Sequence, residues 1–482
     1  MLRFECAGCG ARLAPPGAGP PPFACPHAVP GDDIDHVVRR VGPSGAAFPP
    51  GGEANPFLRY RRLLAAHALA IDLGMEDAAF VQIVRELDAA IARLDGEGFR
   101  ATPFAPSDSL ATRVGLSAGE LWIKNETGNV SGSHKARHLM GVMLVLRVCE
   151  TRGGAPLPAA SARQAGGGRL AIASCGNAAL AAAVVARAAD RPLDVFVPPS
   201  AAPSVLDRLA RLSAAVHTCH RPPGVQGDPC YAAFRAAVAA GAVPFCCQGS
   251  DNGLTIDGGR TLAWEMVSAL GADGAGDDSR RDLDAVFVQV GSGAFASAVA
   301  QGFDDALALG AVGRLPRLYT VQTRGAYPLR RAYDAIVERI LGRIPGAAGF
   351  GFRQASDRER ADLVAGRPGL IEEELAFARR HRSAFMRPWE TPPRSVAHGI
   401  LDDETYDWAA VVHGMLRTGG WPLVVDEDAL IEANRAARET TGVKVDCTGS
   451  AGLAGLMKAV TLDDRLPKER VAVVFSGIDR SA

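Results

Sequence analysis

The chain has 482 residues, 48% of them hydrophobic, with 52 Lys and Arg against 53 Asp and Glu. That length and apolar content allow two or three domains around a sizeable core and exclude disorder throughout. A formal net charge of −1 gives no basic footprint for nucleic acid and no polybasic patch for a membrane surface, so the expected partner is a small soluble molecule.

No apolar run approaches membrane-spanning length, and Met1-Leu-Arg-Phe-Glu-Cys6 lacks the charged-then-apolar pattern of a signal peptide. Ten cysteines scattered along the chain, with Cys246 and Cys247 adjacent, fit a reducing compartment better than a disulfide framework. A cytoplasmic protein is the expectation.

The amino terminus reads Cys6-Ala-Gly-Cys9-Gly10, then a Pro/Gly-rich spacer, then Cys25-Pro-His27. A Cys-x-x-Cys on a glycine turn is half of a zinc knuckle, and Cys25 with His27 or His36 offers the other half. The candidate zinc ligands are therefore Cys6, Cys9, Cys25 and His27. The second half is irregular, and reduced surface cysteines are the plain alternative. A turn-rich linker follows from Pro43 to Pro56. Between Phe57 and Leu94 apolar residues recur at three and four, as in Leu63, Leu64, Leu69, Ile71 and then Phe80, Val81, Ile83, Val84, Leu87, Ile91, Leu94. This spacing predicts amphipathic helices.

The stretch Leu121 to Gly141 predicts a strand at Leu121-Trp-Ile123, turns through Asn125–Asn129 and Ser131–Ser133, and then a helix. Lys135 falls just inside that helix. There, free N–H groups and the positive dipole end favour an anion and lower an amine's pKa, making the amine a candidate nucleophile toward a carbonyl. The plain alternative is a solvated lysine opening an amphipathic helix.

Beyond it the helix continues over Leu139–Cys149, followed by a Gly/Ala loop from Gly153 to Gly168. Leu170–Ala173, Leu193–Val197 and Ala215–Thr218 read as strands, alternating with helices Ala178–Ala189, Ser204–Leu212 and Tyr231–Ala240. Such alternation implies a parallel sheet. Gln248–Asn252 and Thr255–Leu270 lead back to a larger domain. Its strands are Ala285–Val290, Leu318–Gln322, Leu423–Val425 and Val471–Phe475, with helices to Leu309 and over Asp428–Glu439 and Ala451–Val460. Arg330 to Pro393 shows poor periodicity and yields no placed elements. The expected divisions are a leader at 1–45, a helical segment and first part of the large domain at 46–139, a smaller α/β domain at 140–248, and the remainder at 249–482.

Three glycine-rich elements each follow a strand, where loops of open α/β sheets converge on ligands. In Ser174-Cys175-Gly176-Asn177 the amide of Asn177 can donate to an oxyanion without adding charge, or it can simply cap the next helix. Gly291-Ser292-Gly293-Ala294-Phe295-Ala296 is a nest of N–H groups suited to phosphate. It also satisfies the dinucleotide fingerprint Gly-x-Gly-x-x-Ala, which makes a nicotinamide-dependent oxidoreductase the rival from another class. That rival needs an acidic residue after the next strand, where this chain has Thr323 and Arg324. In Asp446-Cys-Thr448-Gly-Ser-Ala451 the hydroxyl of Thr448 taken alone reads as a helix cap.

Ser131-Gly-Ser-His134-Lys135 resembles the lysine motif of the pyridoxal-phosphate enzymes of the tryptophan synthase β-chain fold (fold type II), which includes threonine synthase, the serine and threonine dehydratases and cysteine synthase. Lysine, Asn loop, phosphate loop and hydroxyl occur here in that family's order, over roughly the last three quarters of the chain. The resemblance implies two doubly wound parallel-sheet α/β domains with the cofactor in the cleft between them, a Cys-rich leader and a homodimer. It further implies pyridoxal 5'-phosphate on Lys135, with His134 and Gly291, Ser292, Gly293, Ala294 and Phe295 at its phosphate. By the same resemblance Asn177 meets the ring oxygen, Ser174, Cys175 and Gly176 surround the substrate carboxylate, and Thr448 faces the pyridine nitrogen.

The implied activity is that of an enzyme, a lyase or synthase acting on an amino acid by β- or γ-elimination or replacement. The Cys-rich leader and Thr448 point toward a threonine-synthase-like member. Threonine synthases usually carry Phe before the lysine, and His134 instead points toward β-replacement. A serine/threonine dehydratase or a diaminopropionate-type ammonia-lyase is the alternative within the family, and a non-catalytic binding protein a further one outside it.

Overall fold

The structure, a computed structural model, describes residues 2–14, 22–43, 45, 47–49, 51–152, 155–156, 168–221, 227–273, 282–346 and 355–480. The Gly/Ala loop expected from Gly153 to Gly168 lies almost wholly outside them. The chain forms two compact units, one made of Met1–His27, Val37–Ala101 and Gly128–Thr261, the other of Ala28–His36, Thr102–Thr127 and Leu262–Ala482.

The first unit opens with a small antiparallel sheet in the order Arg12–Leu13, Phe4–Cys6, Val38–Arg40. Helix Asp77–Asp95 buries Phe80, Val84, Leu87 and Ile91, a stripe at three- and four-residue spacing that a 3.6-residue turn places on one face. The chain then leaves the helix at Gly96, whose φ of +92° is accessible to glycine. A four-stranded sheet follows in the order Ala215–Thr218, Leu193–Val197, Leu170–Ala173, Val243–Pro244, every pairing parallel. Its strands alternate with helices Asn177–Ala188, Pro203–Arg211 and Pro229–Ala239. The last two begin with proline, whose missing N–H costs nothing in a first turn. Helix Lys135–Cys149 is buried along nearly its whole length and packs against Asn177–Ala188 and against the short helix Thr255–Gly259.

The second unit is built on a six-stranded sheet ordered Pro422–Val425, Arg317–Thr323, Ala285–Gln289, Val471–Phe475, Leu121–Asn125, Phe104–Pro106. The pairings are parallel except at the edge strand Phe104–Pro106. Central strands Ala285–Gln289 and Val471–Phe475 are buried at every residue, which explains their apolar sequence, broken only by Gln289 at the end of the first. Phe287 stacks on Tyr319 at 4.5 Å, and Tyr319 meets the edge of Trp421 at 4.7 Å.

Between Arg330 and Pro393, where no period was evident, the chain forms helices Pro328–Gly342, Asp357–Ala365, Pro368–Arg380 and Arg382–Phe385. The apolar stripe of the first, Leu329, Ala332, Tyr333, Ile336, Val337 and Ile340, is interleaved with charges that tie these helices together. Arg330 grips Asp357 with both terminal nitrogens at 2.8 Å, and Arg339 Nε donates to Glu374 at 2.6 Å. Helix Trp408–Thr418 also escaped the sequence reading. Among the described residues no helix is long and apolar enough to cross a membrane.

Candidate active site

In the first unit, Lys135 is the first residue of its helix, after a turn in which Ser131 takes φ +54°. Asp95 holds that turn: its carboxylate accepts from Ser131 N–H at 2.6 Å and from Arg208 Nη2 at 2.8 Å. His134 is buried, and burial first, then the charges of Lys135, His138 and Arg137, push its ring well below the usual histidine range. It therefore presents a neutral imidazole beside the lysine. Burial likewise lowers His138 to about 3. With a ring neutral at ordinary pH, Nδ1 carries the proton it donates to the Thr255 carbonyl 2.7 Å away.

The lysine helix is seated by backbone contact. A Cβ on Gly141 would lie 2.7 Å from Gly258 Cα, and one on Gly258 only 2.1 Å from the Arg137 carbonyl oxygen. The half-buried Lys135 side chain has no hydrogen bond or ion pair among the described residues, whereas Lys124 is wholly buried and ion-paired with Glu265.

Strand Leu170–Ala173 delivers the loop Ser174–Asn177. Gly176 is the N-cap of the following helix and Asn177 its first helical residue, so Asn177 is not the cap. Ser174 Oγ accepts from Gly176 N–H at 3.4 Å, Cys175 is exposed, and the helix packs on the turn at Val130–Gly132 as well as on the lysine helix. Lys135, His134 and the Ser174–Asn177 loop thus stand on neighbouring elements of one unit.

The second unit carries the other two motifs. Strand Ala285–Gln289 runs into Gly291-Ser292-Gly293, and Gly293, at φ +96°, is the left-handed N-cap of helix Ala294–Ala308. The N–H groups of that first turn have no carbonyl within the helix to receive them, which suits an anion. The glycines do more than clear space for a ligand. A Cβ on Gly291 would lie 2.2 Å from Asp402 Oδ2, and one on Gly293 2.8 Å from Thr405 Cγ2. The chain's own segment 400–407 fills that space, and Asp407 N–H donates to the Ser292 carbonyl at 3.0 Å.

The same segment reaches Thr448. Gly399 N–H donates to Thr448 Oγ1 at 3.1 Å, and Thr448 is 7% exposed. The cap of helix Ala451–Val460 is Ser450, so the Thr448 hydroxyl is not spent on capping. Gln289 Nε2 ties the loop to the sheet by donating to the Gly449 carbonyl at 3.0 Å, and Asp446 Oδ1 accepts from Gly449 N–H at 2.6 Å. The hydroxyl loop and the glycine loop are therefore joined through residues 399–407. Sequence reasoning missed this segment because Val396-Ala-His-Gly-Ile400 and the acidic run after it have no period and no motif. It also missed the set of Lys124, Glu126, Glu265 and Thr102, whose partners lie far apart in the chain; Lys124 Nζ donates to the Thr102 carbonyl at 2.7 Å and pairs with Glu265.

At the amino terminus the sulfurs of Cys6, Cys9 and Cys25 lie within 4.8 Å of one another. His27 enters through its main chain, its N–H donating to Cys25 Sγ at 3.4 Å while the residue itself is exposed.

The dinucleotide alternative lacks its acidic residue at the end of strand Arg317–Thr323, where Thr323 and Arg324 stand and Thr323 Oγ1 accepts from Gly325 N–H. A residue set of lysine at a helix start, glycine turn at a second helix start and neutral hydroxyl with a proton to donate fits an aromatic aldehyde bearing a phosphate. Comparison with known proteins agrees. Residues 97–477 match the model of the family described as pyridoxal-phosphate dependent enzyme. The chain is 21% identical to threonine synthase of Methanosarcina acetivorans over 379 residues, 78% of this chain and 74% of that one. Among solved structures it is similar to diaminopropionate ammonia lyase from Escherichia coli (TM-score 0.54, 14% identity, 85% of this chain and 92% of that one). Maize serine racemase is a comparable match (0.53, 17%, 82% and 94%). The extent of the family match settles the matter: this chain belongs to the pyridoxal-phosphate dependent enzymes.

Proposed function

We propose that the chain is a lyase or synthase that performs elimination or replacement at the β or γ carbon of an amino acid, with Lys135 as its catalytic residue. Lys135 would hold pyridoxal phosphate, and its amine would move the proton at the substrate's Cα. Bound pyridoxal phosphate supplies the electron sink that makes this proton acidic. Gly291 to Phe295 would receive the phosphate, and His134, held neutral, would add a contact to it. Asn177 would donate to the ring oxygen, and Ser174, Cys175 and Gly176 would receive the substrate carboxylate.

The observation that carries the reading is the Gly399–Thr448 hydrogen bond. A hydroxyl that accepts from Gly399 N–H keeps its own proton to donate, so Thr448 offers the ring nitrogen a neutral donor rather than a carboxylate. A neutral donor does not hold that nitrogen protonated, which limits charge spread into the ring and favours loss of a leaving group over transamination. The relatives include threonine synthase, an ammonia lyase and a racemase, so the family alone does not choose the reaction.

The test is to supply the full-length protein, loaded with pyridoxal phosphate, with phosphohomoserine, serine, threonine, O-acetylserine and diaminopropionate, and to follow the products. Ammonia with a keto acid, or a replacement product, from one of them is the expected result. Racemisation alone, with no leaving group lost from any of the five, overturns the reading.

A further inference from the structure

The thiol cluster of the leader has no part in the proposed reaction, and its expected ligand set of Cys6, Cys9, Cys25 and His27 needs revision. Cys6 and Cys9 flank a tight turn in which Cys6 N–H donates to the Ala11 carbonyl at 2.8 Å and Gly10 N–H to the Cys6 carbonyl at 2.9 Å. Gly10 takes φ +74°, a conformation a side chain would strain. Each sulfur faces backbone donors: Gly8 and Cys9 N–H for Cys6, Ala11 N–H for Cys9, and His27 N–H for Cys25. Burial pushes the Cys6 thiol up to about 12 and raises Cys25 as well, so the site stands on the grouping of the three sulfurs and not on their titration. Cys9 Sγ and Cys25 Sγ are 3.7 Å apart, a separation compatible with two ligands on one tetrahedral ion.

Three thiolates leave one place on such an ion. Ala7 N–H donates to the Val37 carbonyl at 2.8 Å, and Cys6 pairs with Val38, so the chain arrives beside the cysteine turn immediately after His36. The His36 side chain is 7% exposed and its Nε2 is bonded to Asp32 Oδ2 at 3.0 Å. His36 brings a ring nitrogen within 4.8 Å of the three sulfurs, and a carboxylate bonded to the ring is the usual arrangement around metal-bound histidine.

We propose that Cys6, Cys9, Cys25 and His36 form a structural zinc site, with Asp32 orienting His36. His27 holds Cys25 through its backbone and is not a ligand. The ion has a mechanical task. Strands of two or three residues do not hold a sheet by themselves, and a closed four-ligand ion supplies what the missing core does not. What it secures is strand Val38–Arg40, whose Arg40 is paired with Asp257 at 3.4 Å. Asp257 lies on Thr255–Gly259, the short helix packed on the lysine helix.

The experiment uses the full-length protein purified without chelator, and a cobalt-substituted form. One zinc per chain is expected, together with thiolate-to-cobalt charge-transfer and tetrahedral ligand-field bands. His36→Ala should shift the ligand-field bands, Asp32→Asn should weaken metal affinity on the order of ten- to a hundredfold, and His27→Ala should change neither. A folded, metal-free protein whose three thiols all titrate, or one with Cys9 and Cys25 joined as a disulfide, overturns the site. A spectral shift with His27→Ala and none with His36→Ala overturns the fourth ligand.

Discussion

Gly399 N–H points at Thr448 Oγ1 from 3.1 Å, and a Cβ on Gly399 would lie 2.8 Å from Thr448 Cγ2. The glycine therefore does two things at once, orienting the hydroxyl and leaving room for the methyl group beside it. Gly399→Ala is expected to push Thr448 aside and lower kcat roughly tenfold or more, a loss in the range of one hydrogen bond to a reacting group. Removing the crowded methyl should relieve this, so Gly399→Ala/Thr448→Ser should recover part of the lost kcat. Steady-state kinetics of the three variants checks it, and a double variant no better than Gly399→Ala would show that the contact does not matter.

Thr448→Asp should redistribute reactivity as well as slow it. A carboxylate in place of the hydroxyl favours a protonated ring nitrogen and spreads negative charge into the ring, so the ratio of racemised or transaminated product to eliminated product should rise. Product partitioning by chiral chromatography reads this out. An unchanged ratio would mean that Thr448 does not face the ring.

Asp446 gives the hydroxyl loop a pH dependence. Burial raises its carboxyl to about 6, against the opposing bond from Gly449 N–H and the nearby charges of His398 and Arg480. The folded state then holds a proton that the unfolded state releases near pH 4, so this residue's contribution to stability falls as pH rises from about 4 to about 6. Asp446→Asn keeps an oxygen for Gly449 N–H and removes the titration. Its unfolding free energy from urea titrations should gain on wild type between pH 4 and pH 7, by an amount on the order of 1–2 kcal/mol after allowance for partial exposure. A constant difference between the two proteins over that range would contradict the assignment.

The buried set under strand Leu121–Asn125 should behave as an ion-pair network. Lys124→Met strands the carboxylates of Glu265 and Glu126, both buried, and should cost about 3–5 kcal/mol in denaturant unfolding. Lys124→Met/Glu265→Gln removes one of the stranded charges and should lose less than the single variant. Equal losses would show that charge is not what Lys124 contributes.

Much of this architecture was legible because buried parallel strands announce themselves. Leu170–Ala173 and Val471–Phe475 are uninterrupted apolar runs and Leu193–Val197 is broken only by Asp194, and the structure has strands at those residues. Lys135, Gly293 and Ser174–Asn177 were legible because glycine turns after strands mark helix starts. The exceptions share a cause: their meaning lies in contacts far along the chain. Gly399 matters through Thr448, 49 residues away, and Lys124 through Glu265, 141 residues away; neither contact leaves a local pattern. The glycine loop read as a nest for phosphate is also the seat of Asp402 and Thr405, packed against Gly291 and Gly293. Gly293→Asp would consequently disturb packing whether or not phosphate binds there, and it is a poor probe of the cofactor.

The central claim rests on Lys135, and the chain makes it testable, since it has only five lysines: Lys124, Lys135, Lys444, Lys458 and Lys468. Lys124 is buried in its ion pair, Lys458 Nζ donates to the Val424 carbonyl, and Lys444 and Lys468 are exposed. Borohydride reduction of the full-length protein loaded with pyridoxal phosphate, followed by peptide mapping, should place the phosphopyridoxyl group on Lys135 alone. Lys135→Ala should abolish turnover and the visible absorbance of the loaded protein while leaving the fold intact. Label on Lys124, Lys444, Lys458 or Lys468 with Lys135 unmodified, or an unaltered visible band in Lys135→Ala, would contradict the assignment.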